Sequence, residues 1–177
     1  MAMLIFDTET TGLIDNLSTR SERQPEVIEF CGIRITDEGK IVSDLDMLIK
    51  PSLAITEEIT GKNGIDNAMV SEAPAFRDVA PLIRDFIESS DVIYAHNAAF
   101  DRDMIDIEFA RLGMTKIAWP HIVCTVEATL HLMGYRLSLS ALYEHLFGEK
   151  FAGAHRARAD VEALIRCIVE LKKRGEM

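Results

Sequence analysis

Two carboxylates two positions apart, Asp7 and Glu9, are the first residues in the chain whose types and spacing could do chemistry. They follow the apolar run Met3-Leu4-Ile5, which is typical of a buried strand. Because side chains alternate faces along a strand, Ile5, Asp7 and Glu9 should project to the same side. Neighbouring carboxylates repel each other and are costly to desolvate, and a divalent cation bound between them removes both problems. The alternative for this stretch alone is a solvated strand end without a chemical role.

Two later helical patterns each carry an acid on an otherwise apolar face. Asp101 shares a stripe with Ile105 and Phe109, and Asp160 lies among the apolar residues of the last helix. A single inward acid is usually a helix cap or the partner of a salt bridge. Three segments that each point an acid inward, with few inward Lys or Arg residues, favour a metal site instead. Ligation by carboxylates alone selects Mg²⁺ or Mn²⁺ over zinc.

These four acids suffice to hold two divalent ions about 4 Å apart, the arrangement that stabilises attacking and leaving oxygens in phosphodiester cleavage. His155 stands at the predicted start of the last helix, shortly before Asp160. A neutral imidazole at that point could accept a proton from a bound water. From their positions alone, the remaining histidines are interpreted as structural: His96, His121, His131 and His145.

The elements that must position these residues alternate in type along the chain. Strand patterns occur at Met3-Leu4-Ile5, Val27–Thr36, Ile41–Lys50 and Asp91–Ala95. Helical patterns begin at Val79 and cover Asp101–Leu112, residues 122–135, Leu137–Phe147 and His155–Lys173. The first three strands are joined by short turns and predict an antiparallel meander. The whole order predicts an α/β domain in which helices cover a mixed sheet.

Three local details complete this prediction. Residues around Ile55–Ile59 form a short helix or loop, which a turn at Gly61–Gly64 follows. Pro81 is compatible with the helix after Val79 if Asp78 caps it and the proline lies in its first turn. Ligands of such sheets bind at the carboxyl ends of the strands, and both Asp7/Glu9 and the segment His96–Asp101 lie at such ends.

The composition predicts one globular domain over residues 1–177, with 48% hydrophobic and 27% charged residues. The N-terminus shows no secretory signal pattern, and no apolar run approaches the ~18 residues of a membrane span. Cys31, Cys124 and Cys167 lie far apart among apolar neighbours, which favours reduced, buried thiols in a cytoplasmic protein. A net charge of −10 argues against tight, extended binding of a polyanion. It leaves open a nuclease that holds a strand end locally through cations.

Three segments together resemble the exonuclease motifs of the DnaQ-like DEDDh family, which includes the proofreading epsilon subunit of bacterial DNA polymerase III. They are Phe6-Asp7-Thr8-Glu9-Thr10-Thr11-Gly12, His96-Asn97-Ala98-Ala99-Phe100-Asp101 and His155-Arg156-Ala157-Arg158-Ala159-Asp160. The motifs occur in the family's order and contain the complete Asp–Glu–Asp–Asp–His set. The resemblance implies an RNase H-like fold. It also implies 3′–5′ release of nucleoside 5′-monophosphates from single-stranded DNA ends with two Mg²⁺ or Mn²⁺ ions.

The resemblance gives each residue of this set a role. Asp7 would bridge the two metal ions, and Glu9 and Asp160 would complete the site that holds the nucleophilic water. Asp101 would serve the second ion, directly or through water. His155 would be the general base.

The resemblance also implies substrate contacts. Backbone atoms of Thr10, Thr11 and Gly12 would approach the terminal nucleotide, and a glycine permits a close approach. Glu58 matches a glutamate that touches the 3′-terminal nucleotide in epsilon-like members, whereas Asn63 replaces the histidine that assists it there. Further candidates from the motifs are Thr8, His96, Asn97 and Phe100.

Three alternatives remain open at this point. The first is an RNA-trimming exonuclease of the same fold, because the 2′-OH separates RNA from DNA and no residue reports on it. The second is a nuclease-like module that binds without cleaving, which a missing catalytic residue would have favoured. The third concerns assembly as a monomer or a homodimer. We expect no stable polymerase partner, since the chain ends soon after the last predicted helix, and no membrane association.

Overall fold

The computed structural model describes residues 3–18 and 20–177. Its centre is a five-stranded sheet in the order β3-β2-β1-β4-β5. The strands are β1 (Met3–Thr10), β2 (Val27–Ile35), β3 (Ile41–Leu48), β4 (Val92–Ala95) and β5 (His121–Cys124). The first three form an antiparallel meander, whereas β4 pairs parallel with both β1 and β5. The mixed sheet and its meander confirm the predicted fold class.

Helices cover both faces of this sheet. They are α1 (Glu57–Asn63), α2 (Phe76–Glu88), α3 (Ala98–Arg111), α4 (Thr125–Ala128), α5 (Leu130–Met133), α6 (Leu139–Phe147) and α7 (Ala157–Arg174). A 3-10 turn, Ser21–Arg23, lies in the loop between β1 and β2. Within the described residues, no helix is long and apolar enough to cross a membrane.

The alternation of side chains along β1 sorts its residues between two cores. Leu4 and Phe6 pack in the core formed with α2 and α3. Met3 and Ile5 pack instead against the apolar face of α7, and α6 covers the outer side of that helix. Because the period of a strand is two residues, Asp7 and Glu9 continue the α7 side of the sheet. This confirms that they share a face with Ile5.

The helix predicted over residues 122–135 is wrong. His121–Cys124 instead forms β5, a parallel edge strand on β4, and the β-branched pair Ile122-Val123 lies at its centre. The rest of the segment forms two short helices that Thr129 separates, with φ −101° and ψ 7°. The apolar run is compatible with either period, so pairing with β4 decides the local structure.

The predicted start of α2 is also wrong. The helix begins at Phe76 and Ala75 is its N-cap, while the Asp78 carboxylate accepts a hydrogen bond from the Ala75 N–H at 3.2 Å. Pro81 therefore lies in the second turn, where it cannot donate to the carbonyl of Arg77. Both residues are exposed, so water can hydrate that carbonyl.

Several other boundaries shift in ways that affect the site. β1 runs to Thr10, so its acids lie within the strand. The turn predicted at Gly61–Gly64 is largely the end of α1. α7 begins at Ala157, so His155 lies in the preceding loop and not in the helix. Cys31 and Cys167 are buried as expected and Cys124 is half-buried; all three are free thiols.

Candidate active site

Three of the four predicted carboxylates meet between β1 and α7. Asp7 and Glu9 project from the strand, and Asp160 projects from the first turn of the helix. One carboxylate oxygen from each lies within 4.8 Å of the others, and all three side chains are half-buried. The geometry follows from the strand period, which directs Asp7 and Glu9 to the helix that carries Asp160.

Burial and mutual repulsion disfavour the charged forms of these carboxylates. Burial raises the pKa of Asp7 well above its usual value, and the charges of Asp101 and Asp160 raise it further. Burial, followed by the charge of Asp160, raises the pKa of Glu9 from 4.5 to about 7. Burial likewise raises the pKa of Asp160 from 3.8 to about 6. The Oδ1 atom of Asp160 is buried and has no hydrogen-bond partner among the described residues. A positive charge bound between these carboxylates would therefore stabilise their ionised forms.

Asp101 approaches from the opposite side of β1. It lies in the first turn of α3, is 2% exposed and accepts hydrogen bonds from the backbone N–H and the hydroxyl of Thr8, at 3.0 and 2.7 Å. Burial raises its pKa, and the two bonds from Thr8 oppose that effect. Asp101 does not belong to the group of oxygens within 4.8 Å. Thr8 thus anchors the fourth acid at one residue's distance from Asp7 along the strand.

His155 lies in the loop before α7 with a left-handed backbone, φ 68°, which is uncommon for a residue other than glycine. Its backbone N–H donates to Oδ2 of Asp160 at 3.2 Å. Its side chain is exposed and lines the cavity beside the acids. The imidazole is therefore free to meet a water or a substrate, as the prediction requires.

A cavity of about 750 Å³ opens beside Glu9. Nine predicted site residues line it: Thr8, Glu9, Thr10, Thr11, Gly12, Glu58, Asn63, Phe100 and His155. Its other lining residues are ones that sequence reasoning missed: Leu13, Thr56, Ile59, Gly61 and Lys62. The volume lies within the range of small-molecule sites, about 300–1,000 Å³, so a nucleotide fits.

The β1 end of the cavity is held by side chains. The Thr10 hydroxyl donates to the carbonyl of Gly12 at 2.7 Å. Thr11 donates its N–H to the carbonyl of Glu26, and the Glu26 N–H donates to the Thr11 hydroxyl, both at 2.9 Å. A Cβ at Gly12 would meet only Pro25, at 3.9 Å, so the fold itself does not require glycine there. A close approach of substrate at Gly12 stays a prediction.

Helix α1 forms the opposite wall. Asn63 is 6% exposed and donates from Nδ2 to Oε2 of Glu9 at 3.4 Å, while its Oδ1 accepts from the N–H of Ile65 at 3.0 Å. Glu58 is exposed and its carboxylate accepts from the Lys62 ammonium at 2.7 Å, which lowers the pKa of Glu58. Asn63 therefore contacts the candidate catalytic residue Glu9 directly, whereas the carboxylate of Glu58 forms an ion pair with Lys62.

His96 and Asn97 do not line the cavity. Nδ1 of His96 lies 2.9 Å from the Thr125 hydroxyl, and Nε2 lies 3.0 Å from the carbonyl of Leu137. Burial lowers the pKa of His96, and because a carbonyl can only accept, Nε2 donates to Leu137. Asn97 adopts φ 69°, and its side-chain oxygen accepts from Arg136 at 3.2 Å. These contacts support the structural interpretation of His96, and substrate contacts at both residues stay predictions.

Sequence reasoning missed a fifth acid, Glu29, which lies beside the three-acid cluster. It is 3% exposed and lies directly opposite Glu9 in the pairing of β2 with β1. Its carboxylate accepts from Nη2 of Arg156 at 2.6 Å and from the N–H of Ala157 at 2.8 Å. The signal was available in the sequence, since Glu29 interrupts the otherwise apolar start of β2 between Ile28 and Phe30.

With this geometry in hand, comparison with known proteins gives a consistent result. The exonuclease family, RNase_T, matches residues 4–168. The chain is 31% identical over 172 residues to a DNA polymerase III PolC-type protein of Caldanaerobacter subterraneus subsp. tengcongensis; the match covers 95% of this chain and 11% of that protein. The chain thus spans about a tenth of the length of that relative.

Solved structures agree on the fold. A structure described as exonuclease X in complex with 5′ overhanging duplex DNA superposes with a TM-score of 0.70 at 26% identity, covering 98% of this chain and 93% of the other. The nuclease domain of 3′hExo, described as a DEDDh family member bound to rAMP, superposes with a TM-score of 0.79 at 16% identity, covering 98% and 92%. The RNase H-like architecture is therefore confirmed. Because the family match covers residues 4–168, the chain belongs to the RNase_T family of exonucleases, and its fold is that of the DEDDh member 3′hExo.

Proposed function

We propose that this domain hydrolyses single-stranded DNA from the 3′ end and releases nucleoside 5′-monophosphates, with two Mg²⁺ or Mn²⁺ ions and His155 as general base. The observation that carries the proposal is the placement of His155 and Glu9 on one nucleotide-sized cavity, with Asp7 and Asp160 directly behind. The polarity and the product follow from the family resemblance.

The residues present fit divalent cations. The donor set of Asp7, Glu9 and Asp160 consists of carboxylate oxygens, which hard cations prefer. The unpartnered Oδ1 of Asp160 and the raised pKa values of the cluster give an independent reason for positive charge there. Asp101, held by Thr8 on the far side of Asp7, would complete the site for a second ion. When bound, such ions neutralise the phosphate and lower the pKa of bound water.

The chain's own residues supply positioning and proton transfer. The cavity accepts the terminal nucleotide, and the half-buried ring of Phe100 on its wall offers an apolar surface against which a base can stack. His155 holds its imidazole over the cavity, where a neutral ring nitrogen can take a proton from the attacking water. Asn63 orients the Glu9 carboxylate from the other wall. Lys62 places a positive charge where a phosphate of the strand can approach.

DNA is proposed over RNA because the relatives with the higher identities are a polymerase III protein and an exonuclease described in complex with DNA. The structure described with rAMP shares 16% identity, which supports the fold alone.

The test is digestion of 5′-labelled DNA and RNA oligonucleotides of one sequence with Mg²⁺, Mn²⁺ or EDTA. We expect a ladder that shortens from the 3′ end of DNA, dependent on the metal, with nucleoside 5′-monophosphates identified by mass spectrometry. Faster digestion of RNA would replace the substrate assignment while leaving the site intact.

Asp160→Asn is the sharpest variant for this assay, because it removes the charge beside the unpartnered oxygen and keeps the side-chain volume. Glu162→Gln, an exposed change two residues away on α7, is the matched control. Loss of cleavage in Asp160→Asn alone is expected. Full activity of wild type in EDTA, or of Asp160→Asn in Mg²⁺, would contradict the metal-dependent mechanism.

A further inference from the structure

Glu29 is buried beside the acid cluster, and its carboxylate accepts hydrogen bonds from Arg156 and Ala157, the two residues that follow His155. Nη2 of Arg156 donates to its Oε1 at 2.6 Å, and Nε of Arg156 lies 3.2 Å from both of its oxygens. The N–H of Ala157, the first residue of α7, donates to Oε2 at 2.8 Å. Glu29 therefore caps α7 from a distant strand and grips the residue that follows His155.

These hydrogen bonds matter because the N-terminus of α7 has no cap from its own N-cap side chain. Arg156 is the N-cap of α7 and makes no side-chain cap bond of its own, although the first N–H groups of a helix need acceptors. His155 is held in a left-handed conformation, which a side chain rarely adopts without external support. The contacts that hold it are the bond from its N–H to Asp160 and, on the next two residues, the bonds to Glu29.

The position of Glu29 in the sheet gives these bonds a geometric meaning. Glu29 pairs directly with Glu9 in the register of β2 and β1. A loop fixed to Glu29 is thereby fixed relative to the strand that carries Asp7 and Glu9. Arg156 supplies a positive charge to Glu29, so this carboxylate is already compensated. Asp7, Glu9 and Asp160 differ from it because none of them forms an ion pair with a Lys or Arg among the described residues.

We propose that Glu29 is a positioning residue that acts through Arg156 and the Ala157 N–H to fix the His155 imidazole relative to Asp7 and Glu9. The inference rests on the proposed function, since it assumes that His155 takes the proton. Glu29 does not touch the substrate. It sets the distance between base and attacking water, and misplacement of a catalytic group by 1 Å can cost about 100-fold in rate.

The test is a double-mutant cycle between Glu29→Gln and His155→Ala. The glutamine oxygen can still accept from the Ala157 N–H, whereas the charge that holds Arg156 is lost. In the wild-type background we expect Glu29→Gln to lower kcat about 10-fold or more. In the His155→Ala background the same change should alter kcat by less than about twofold, because there is no imidazole left to misplace. An equal fall in both backgrounds would overturn the proposal and make Glu29 a purely structural residue.

A matched control exists on the other side of the sheet. Glu108 is also 3% exposed, accepts a backbone N–H, that of Val27, at 2.8 Å and pairs with an arginine, Arg111. Glu108→Gln should lower the unfolding temperature in the manner of Glu29→Gln. Its fold-change in kcat should be the same with and without His155, since its contacts do not reach the loop before α7.

A second readout does not depend on activity. In protein labelled with ¹³C-histidine, the His155 ring signals, identified by their loss in His155→Ala, should shift or broaden in Glu29→Gln while those of His121, His131 and His145 stay in place. Arg156→Lys, which keeps the charge but not the two-pronged contact, should give the same selective change and serves if Glu29→Gln folds poorly. An unmoved His155 signal in both variants would refute the positioning role. Absence of cleavage by wild type would instead refute the proposed function, and the spectra would still report on the loop.

Discussion

Removal of metal should make the stability of this domain fall as the pH rises, in contrast to the usual behaviour of carboxylates. Burial and the charge of Asp160 raise the pKa of Glu9 from 4.5 to about 7 in the folded protein. The folded state therefore binds a proton that the unfolded state releases between these two values. Stability from Glu9 is fully present below its unfolded pKa and is lost as the pH rises through about 7.

The magnitude follows from the same two values. Each pKa unit is worth about 1.4 kcal/mol, so the full difference for Glu9 would be worth about 3 kcal/mol. Because Glu9 keeps part of its surface in water, screening reduces the expected loss to about 1–2 kcal/mol. The raised pKa values of Asp7 and Asp160 act in the same direction. A cation that binds only the folded state at 100 times its Kd would restore about 2.7 kcal/mol.

The assay is urea unfolding in EDTA at about pH 5 and pH 8, repeated with Mn²⁺ at the higher pH. Wild type should lose stability between the two pH values in EDTA and recover it with Mn²⁺. Glu9→Gln should lose less and recover less. Glu58→Gln, on the same cavity but exposed and paired with Lys62, is the control and should follow wild type. Parallel pH curves for wild type and Glu9→Gln in EDTA would refute the electrostatic argument.

Three further outcomes are expected. His155→Ala should lower kcat about 10²–10⁴-fold, the usual cost of losing a general base, while calorimetric titration shows unchanged Mn²⁺ affinity; a loss of affinity equal to that of Asp160→Asn would make the imidazole a ligand. Thr8→Val should destabilise the fold by about 1–3 kcal/mol in chemical denaturation, because it removes a hydroxyl donor from the buried Asp101, and Thr8→Ser should restore most of it. Binding of single-stranded DNA by His155→Ala in Ca²⁺ should weaken as salt is added, and the slope of log K against log salt concentration should be only about −2. About two or three phosphate contacts contribute about −0.7 each. A slope several times steeper would show that a row of basic side chains binds further phosphates.

Much of the site could be predicted because its signals are local. The strand period alone places Asp7 and Glu9 on one side, and the helical period of α7 turns Asp160 toward the same space. The local sequence pattern could not predict which face of the sheet each helix covers. Asp101 belongs to the core on the α3 side, so it meets Thr8 and stays outside the three-acid group. That division depends on the order of elements in three dimensions.

The misses in the fold have a related cause. Residues 122–135 are apolar enough for a helix, and pairing with the edge of β4 places the first three of them in β5. Glu29 was missed because its partners, Arg156 and Ala157, lie more than 120 residues further along the chain. A charged residue within an apolar strand is a signal that some partner exists, but the sequence does not say which.

The four carboxylates near the end of β1 on the α7 side divide into two kinds, and this division is an argument for the metal site. Glu29, the most buried, has an arginine and a helix N–H as partners. In the part of the chain that the structure describes, no Lys or Arg forms an ion pair with Asp7, Glu9 or Asp160, although Arg158 and Lys62 are near in sequence or on the same cavity. The protein thus compensates the carboxylate of Glu29 and leaves uncompensated that of Glu9, which lines the cavity, and those of Asp7 and Asp160 beside it. Half-buried acids without a cationic partner lower the stability of the folded domain. A divalent cation that binds these acids restores that stability, and it would then lie beside the cavity that is proposed to hold the phosphate.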